Sequence, residues 1–300
     1  MEQVTRERPA AASLGLGRIG IWSSVWSETV PFPPDGAEAA QELEQLGFHT
    51  VWVPAGVHYP VSDTLDRLLD ATTTLTLATG IINIWRQEPA ELAAWWHAEA
   101  PERQKRLVLG FGVGHGPVIG ERWKKPLSRM RDFLDVLDDA GMPRQRLCLA
   151  AHGPKMLELA AERTAGAHPY LVTPKHTAVA RRMMGPDALL APEQKVVLET
   201  DPAKAREIAR RSVSVYGQLP NYANSWRREG FSDAEIERLD DRLIDALVAW
   251  GDISAIAARV DEHFAAGADH VCLQVIGPGG VNADLGHDRA VWRELAGLLA

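Results

Sequence analysis

Two stretches of this chain place a cation on the opening turn of a helix. His152-Gly153-Pro154-Lys155 and Thr173-Pro174-Lys175 each carry a proline suited to the first helical position. An apolar stripe of Met156, Leu157 and Ala160 follows the first of them. Free N–H groups at such a terminus, with an ammonium beside them, bind phosphate or another anion. Each stretch is equally an ordinary helix start, but two such starts after neighbouring strands favour the anion reading. Gly110, Gly112, Gly114 and Gly116 form a third group. They either let a flat ring or a phosphate approach the main chain or leave room for bulky neighbours.

Other chemistries lack their apparatus. Glu199 and Asp201 are the carboxylates expected where strands end, and Trp22-Ser23 stands where a first-strand histidine pair would bind a metal. The pattern therefore predicts no metal site. There is no Gly-x-Ser-x-Gly elbow, and neither Cys148 nor Cys272 lies at a strand end beside a histidine.

The elements that must position these residues follow from hydrophobic period. Eight short runs, Arg18 to Trp22, Thr50 to Val53, Leu75 to Ile82, Leu107 to Gly112, Arg146 to Ala151, His168 to Val172, Lys195 to Glu199 and His270 to Ile276, are apolar on both faces, as in a parallel sheet covered on both sides. Helical patterns separate them. Asp35 opens one with apolar positions Ala37, Ala40, Leu43 and Leu46, and Gly47 closes it. Leu46-Gly47, Ala165-Gly166 and Ala266-Gly267 read as one helix-to-strand turn used three times. Alternation of this kind defines an α/β fold, and eight strands favour a single (β/α)8 barrel, with sites at the C-terminal strand ends. Residues 202 to 267 hold surplus helix (Pro202 to Tyr216, Ser232 to Trp250, Ser254 to Ala266), an elaborated connection before the last strand. The domain is expected over 14–300, after a disordered tail over 1–13.

Composition narrows the partners. With 32 basic and 40 acidic residues the formal charge is −8, which argues against nucleic acid or an anionic membrane as partner. No apolar run reaches the length of a membrane span. Two cysteines within apolar runs suit reduced, buried thiols in a cytoplasmic protein.

Several segments resemble the luciferase-like monooxygenase superfamily, and within it the actinobacterial branch that uses the deazaflavin coenzyme F420. They are Gly17 to Trp22, Glu42 to Val53, Leu77-Ala78-Thr79-Gly80-Ile81, Leu109 to Gly114, Ala151 to Ala161 and the closing Asp288 to Ala296. The likeness covers about residues 14–298. It implies a barrel with a tricyclic ring over its mouth, backed by a third-strand bulge that often holds a non-proline cis peptide, here Gly80-Ile81. It implies cofactor phosphate held by His152, Gly153, Lys155, Thr173 and Lys175, with Gly112 and Gly114 near the ring, and it implies a homodimer. Family members often carry an acid after the second strand, where this chain has Pro54-Ala55-Gly56-Val57-His58, and another where it has His115. Proton transfer then falls to His58 or His115, whose type titrates near neutrality, and Trp22 faces the substrate. The expected function is F420-dependent hydride transfer to or from a small organic substrate. The alternatives are an FMN-dependent monooxygenase and a non-catalytic flavin or deazaflavin binder.

Overall fold

Runs of apolar residues without helical spacing become strands. A computed structural model describes residues 9–27, 31–55, 61–280 and 284–299. Its strands are β1 (Ile19–Trp22), β2 (Thr50–Ala55), β3 (Thr76–Asn83), β4 (Leu107–Gly112), β5 (Leu147–Leu149), β6 (Gly166–Ala167), β7 (Leu189–Leu190), β8 (Glu193–Val197), β9 (Val248–Trp250) and β10 (Val271–Val275). They form one sheet in the order β7-β6-β5-β4-β3-β2-β1-β10-β8-β9, with all nine pairings parallel.

The sheet curls. β7 and β8 are separated only by Ala191 and Pro192, and proline, lacking an N–H, breaks the ladder there. Before the break, Leu189 N–H donates to Ala165 O at 2.7 Å; beyond it, Cys272 N–H donates to Pro192 O at 3.0 Å. Residues 189–197 thus pair with β6 through one half and with β10 through the other.

Alternation along the strands divides the core in two. Trp22, Trp52, Ala78, Val108, Cys148, Leu189, Ala191 and Cys272 pack together on the enclosed face, with Ala11, Leu14 and Leu16 joining them. Their neighbours Ile21, Val51, Val53, Leu77, Leu107, Leu109, Leu147 and Leu149 pack in the cluster that holds helix residues such as Leu43, Leu65 and Phe133. Cys148 and Cys272 are free and buried, as their apolar settings predict.

Five expectations change. There are ten strands among the described residues where eight are expected. The sixth lies at 166–167, ahead of His168 to Val172, because Pro169 follows and Leu171 adopts a left-handed φ of 54°. The seventh starts at Glu193 and ends at Val197. Ser232 to Trp250 is two helices, Asp233–Arg238 and Asp241–Leu247, followed by β9. They part at Leu239, where φ is 50°, and Asp240 caps the second. The expected tail is helical from Pro9 to Leu14, with Ala11 and Leu14 buried. No helix among the described residues is long and apolar enough to cross a membrane.

Candidate active site

The mouth of the curled sheet is built around a bulge in β3. Its register slips against β2 between Val53 and Ala55 and against β4 between Ala78 and Ile82. The Gly80-Ile81 peptide bond is cis, at the bond that the sequence likeness indicated. A Cβ on Gly80 would lie 2.5 Å from Trp22 Nε1 and 2.9 Å from His168 Nε2, so only glycine fits. Trp22 donates from Nε1 to Gly80 O at 3.3 Å and is 7% exposed. It therefore lies against the bulge at the end of β1.

The glycine string of β4 is explained by packing. A Cβ on Gly110 would lie 2.2 Å from Thr79 O, and one on Gly112 would lie 2.5 Å from Ile81 Cδ1. Thr79 Oγ1 also takes the Gly110 N–H at 2.8 Å and donates to Gly110 O at 3.1 Å. The space at Gly112 is filled by Ile81 and is not open to a ring. Gly114, at a φ of 58°, permits the turn into the loop that carries His115.

Of the residues expected to hold an anion, Thr173 and Lys175 both meet Glu229, and His152 meets the adjacent Arg228. Gly153 begins the helix Pro154–Arg163, and no atom lies within 4 Å of where its Cβ would be. Thr173 caps the helix Pro174–Met184 by accepting from His176 N–H at 3.1 Å, and its hydroxyl donates to the Glu229 carboxylate. Lys175 Nζ donates to Glu229 O at 2.8 Å, and Arg228 Nη2 donates to His152 O at 3.0 Å. Lys155 is exposed beside them. Burial pushes the Glu229 carboxyl up, against the Thr173 bond and the charges of Lys175 and Arg228. The Glu229 carboxyl thus takes the hydrogen bond that the Thr173 hydroxyl donates at the start of the helix Pro174–Met184.

Aromatic rings connect the bulge to this site. Trp22 and Tyr170 have centroids 5.5 Å apart, Tyr170 and Tyr216 5.6 Å, Tyr216 and Tyr222 4.9 Å, and Tyr222 and His152 4.8 Å. His115 lies 5.4 Å from Tyr222, and its Nδ1 is 3.5 Å from Asn221 Nδ2. Burial lowers the pKa of His115, and it lowers that of His152 further, with the neighbouring His176 adding to the effect. Both imidazoles are neutral near pH 7. His58 lies outside the described residues.

Sequence reasoning missed a group behind the tyrosines. Lys195 and Glu193 are fully buried on β8, and Lys195 Nζ donates to Tyr170 Oη at 2.6 Å and to Gln274 Oε1 at 2.5 Å. The signal was available: two opposite charges at i and i+2 within a strand share a face.

Asp288 is a second buried carboxyl beside a strand end. It hydrogen-bonds Ser23, which follows β1, and burial together with Asp284 pushes it up to about 7 despite that bond. A pKa raised from 3.8 in the folded state means the folded protein holds the proton more tightly, so stability falls as pH rises from about 4 toward 7. Asp288→Asn is therefore expected to match the parent near pH 3.5 and exceed it at pH 8, by on the order of 2 kcal/mol. Urea unfolding at both pH values measures this; an equal difference at both would assign the effect to something other than ionisation.

The model of the luciferase-like monooxygenase family matches residues 23–270. A 5,10-methylenetetrahydromethanopterin reductase of Archaeoglobus fulgidus is 26% identical over 253 aligned residues, covering 70% of this chain and 75% of that protein. An F420-dependent secondary alcohol dehydrogenase, solved with an F420-acetone adduct, has the same fold, with a TM-score of 0.70 at 18% identity over 95% of this chain and 99% of that one. So does the FMN-bound oxygenating constituent of 3,6-diketocamphane monooxygenase from Pseudomonas putida, with a TM-score of 0.66 at 11% identity and the same coverages, 95% and 99%.

Proposed function

The chain belongs to the luciferase-like monooxygenase family and is an oxidoreductase, and from that premise we propose that it binds coenzyme F420 and exchanges hydride with a small organic substrate. The observation that carries the reading is the Glu229 carboxyl on Thr173, next to the open flank of Gly153. It supports a phosphate site at one edge of the mouth. When bound, the deazaflavin supplies two-electron hydride chemistry. The chain supplies position. Gly80 and Ile81 back the ring, with Gly114 at its edge. Gly153, Lys155, Thr173 and Lys175 hold the phosphate in place of Glu229, with His152 lining the approach. Lys175 and Arg228 place two cations at that edge, with Lys155 exposed on the first turn after Gly153, in a chain whose net charge is −8. Such a cluster suits the polyanionic tail of F420 better than FMN, which ends at its phosphate.

His115, kept neutral by burial, is a poor proton donor to a substrate being reduced. The same reading takes the protein to be a cytoplasmic homodimer.

The test is a fluorescence titration of the purified protein with F420 and with FMN. F420 is expected to bind more tightly, and added salt to weaken it. Lys175→Ala is expected to weaken F420 by about 1.5–3 kcal/mol, the range for hydrogen bonds to charged groups. Unchanged affinity would return Lys175 to the solvated surface, and tighter FMN binding would exchange the cofactor.

A further inference from the structure

A buried ammonium needs a reason, because removing it from water costs several kcal/mol unless its partners are good. Lys195 is 0% exposed. Its nearest carboxylate oxygen, Glu193 Oε1, is 3.7 Å away and has no hydrogen-bond partner among the described residues. Glu193 Oε2 instead accepts from Leu171 N–H at 2.8 Å. The bonds from Nζ run toward the mouth, to Tyr170 Oη and Gln274 Oε1. Tyr170 Oη is 2.7 Å from Gln274 Oε1 and 3.1 Å from Tyr216 Oη. The chain Lys195, Tyr170, Tyr216 begins fully buried and ends on a half-buried phenol. Nζ also lies 4.5 Å from the Tyr170 ring centroid and 5.6 Å from that of Tyr216, so its charge bears on both rings.

We infer that the Tyr216 hydroxyl, backed by Tyr170 and Lys195, is an oxyanion-binding donor at the mouth, and that the substrate is a carbonyl compound or its alcohol. The inference rests on the hydride-transfer reading for its chemistry. Tyr216 is the catalytic residue of the three; Tyr170 and Lys195 position and supply it. Tyr170 accepts from Lys195 and donates to Gln274, while either phenol can donate in the Tyr170–Tyr216 pair, so an incoming oxygen that takes the Tyr216 proton leaves Tyr216 to accept from Tyr170. Two features select a carbonyl. The local charges cancel, Glu193 against Lys195, so the site offers aimed donors and no net positive charge, which suits an oxygen that becomes negative as reaction proceeds. Burial also holds both phenols in the neutral form, with Tyr216 pushed up to about 12; a neutral phenol can donate.

The step balances. Bound in its reduced form, the deazaflavin would supply the hydride, with its electron pair, for the carbonyl carbon, and the C=O π pair would pass to oxygen. That oxygen takes the Tyr216 proton and an O–H bond forms, since an alkoxide is a stronger base than a phenolate. Tyr216 recovers a proton from Tyr170 and Tyr170 from the Lys195 ammonium; because Lys195 is 0% exposed, its proton returns from solvent along the same chain, through Tyr216 and Tyr170.

The test uses para-nitrophenol, whose phenolate absorbs in the visible and mimics a charged oxygen, with the full chain and no added cofactor. The wild type is expected to bind it and lower its ionisation pKa. Tyr216→Phe, which keeps the ring, is expected to weaken binding about tenfold to a hundredfold and restore the free pKa. Tyr170→Phe is expected to shift the pKa in the same direction by less. A neutral ketone must displace the probe. Equal affinity and pKa in wild type and Tyr216→Phe would overturn the inference, as would displacement by acetate alone. Para-nitrophenol binding that needs Tyr216 in a protein that binds neither F420 nor FMN would leave the oxyanion site standing and sink the cofactor reading.

Discussion

Replacing Lys195 by methionine is expected to cost about 3–5 kcal/mol of stability near pH 8, because it leaves a buried carboxylate without its countercharge. Lys195 and Glu193 are both 0% exposed. Burial pulls the lysine pKa down and pushes the glutamate up, each opposed by the other's charge. Methionine fills the same volume, so cavity formation is a minor part of the loss. Without the ammonium, Glu193 is easier to protonate when folded, and the raised folded pKa makes stability fall as pH rises above the unfolded carboxyl value of about 4.3. The loss should therefore shrink toward acid pH. The double variant Glu193→Gln, Lys195→Met removes both charges and should be more stable than Lys195→Met alone, by about 1–3 kcal/mol. Guanidinium unfolding of the parent, Lys195→Met, Glu193→Gln and the double variant gives the coupling directly. A double variant no better than the single would mean that no charge interaction operates between the two side chains.

Gly110→Ala is expected to lower stability by about 3 kcal/mol, the upper end for overpacking, and to abolish F420 binding. The added carbon would lie 2.2 Å from Thr79 O, a backbone atom that cannot swing aside, and 3.2 Å from Cys148 Sγ. Thr79 immediately precedes the bulge at Gly80 and also holds both polar groups of Gly110. Relief of the clash has to displace the bulge, so loss of stability and loss of cofactor affinity should appear together. Thermal unfolding and the F420 titration report the two separately. A variant of normal stability that still binds F420 would show that the bulge is not held by Gly110.

The residues that announced themselves in the sequence are those whose work is local. Gly47 and Gly267 close helices with φ of 90° and 101°, as punctuation alone indicates. Gly166 carries the same neighbours in sequence but lies in β6, where a Cβ would meet Leu189 O at 2.0 Å; its requirement comes from a residue 23 positions later. Pro154 and Pro174 start their helices where they should. Glu229 at the anion site and Tyr222 between His115 and His152 were not legible, because their positions depend on how the helix Pro220–Arg228 packs over the mouth. β9 was hidden for a related reason: Val248, Ala249 and Trp250 follow a helix directly, so no turn residues mark the change of period. Glu193 and Lys195 were readable by spacing, but a run that starts at Lys195 leaves Glu193 outside it.

The place of β10 in the sheet bears on how a nascent chain survives its own synthesis. β10 pairs with β1 through Ile19 and Val271 and with β8 through Cys272 and Glu193, so the last strand made is inserted between the first and the eighth. Until residues 271–275 leave the ribosome, both flanking strands keep a row of unpaired backbone groups, the surface on which strands of different molecules join. Contacts spanning some 250 residues also close slowly. From residue 197, where β8 ends, until β10 is made, a growing polypeptide of this kind carries two sticky margins and no means of sealing them, the condition that holding chaperones relieve. Any message that ends before codon 271 would yield a protein permanently in that condition, a target for proteolysis whatever the health of its active site.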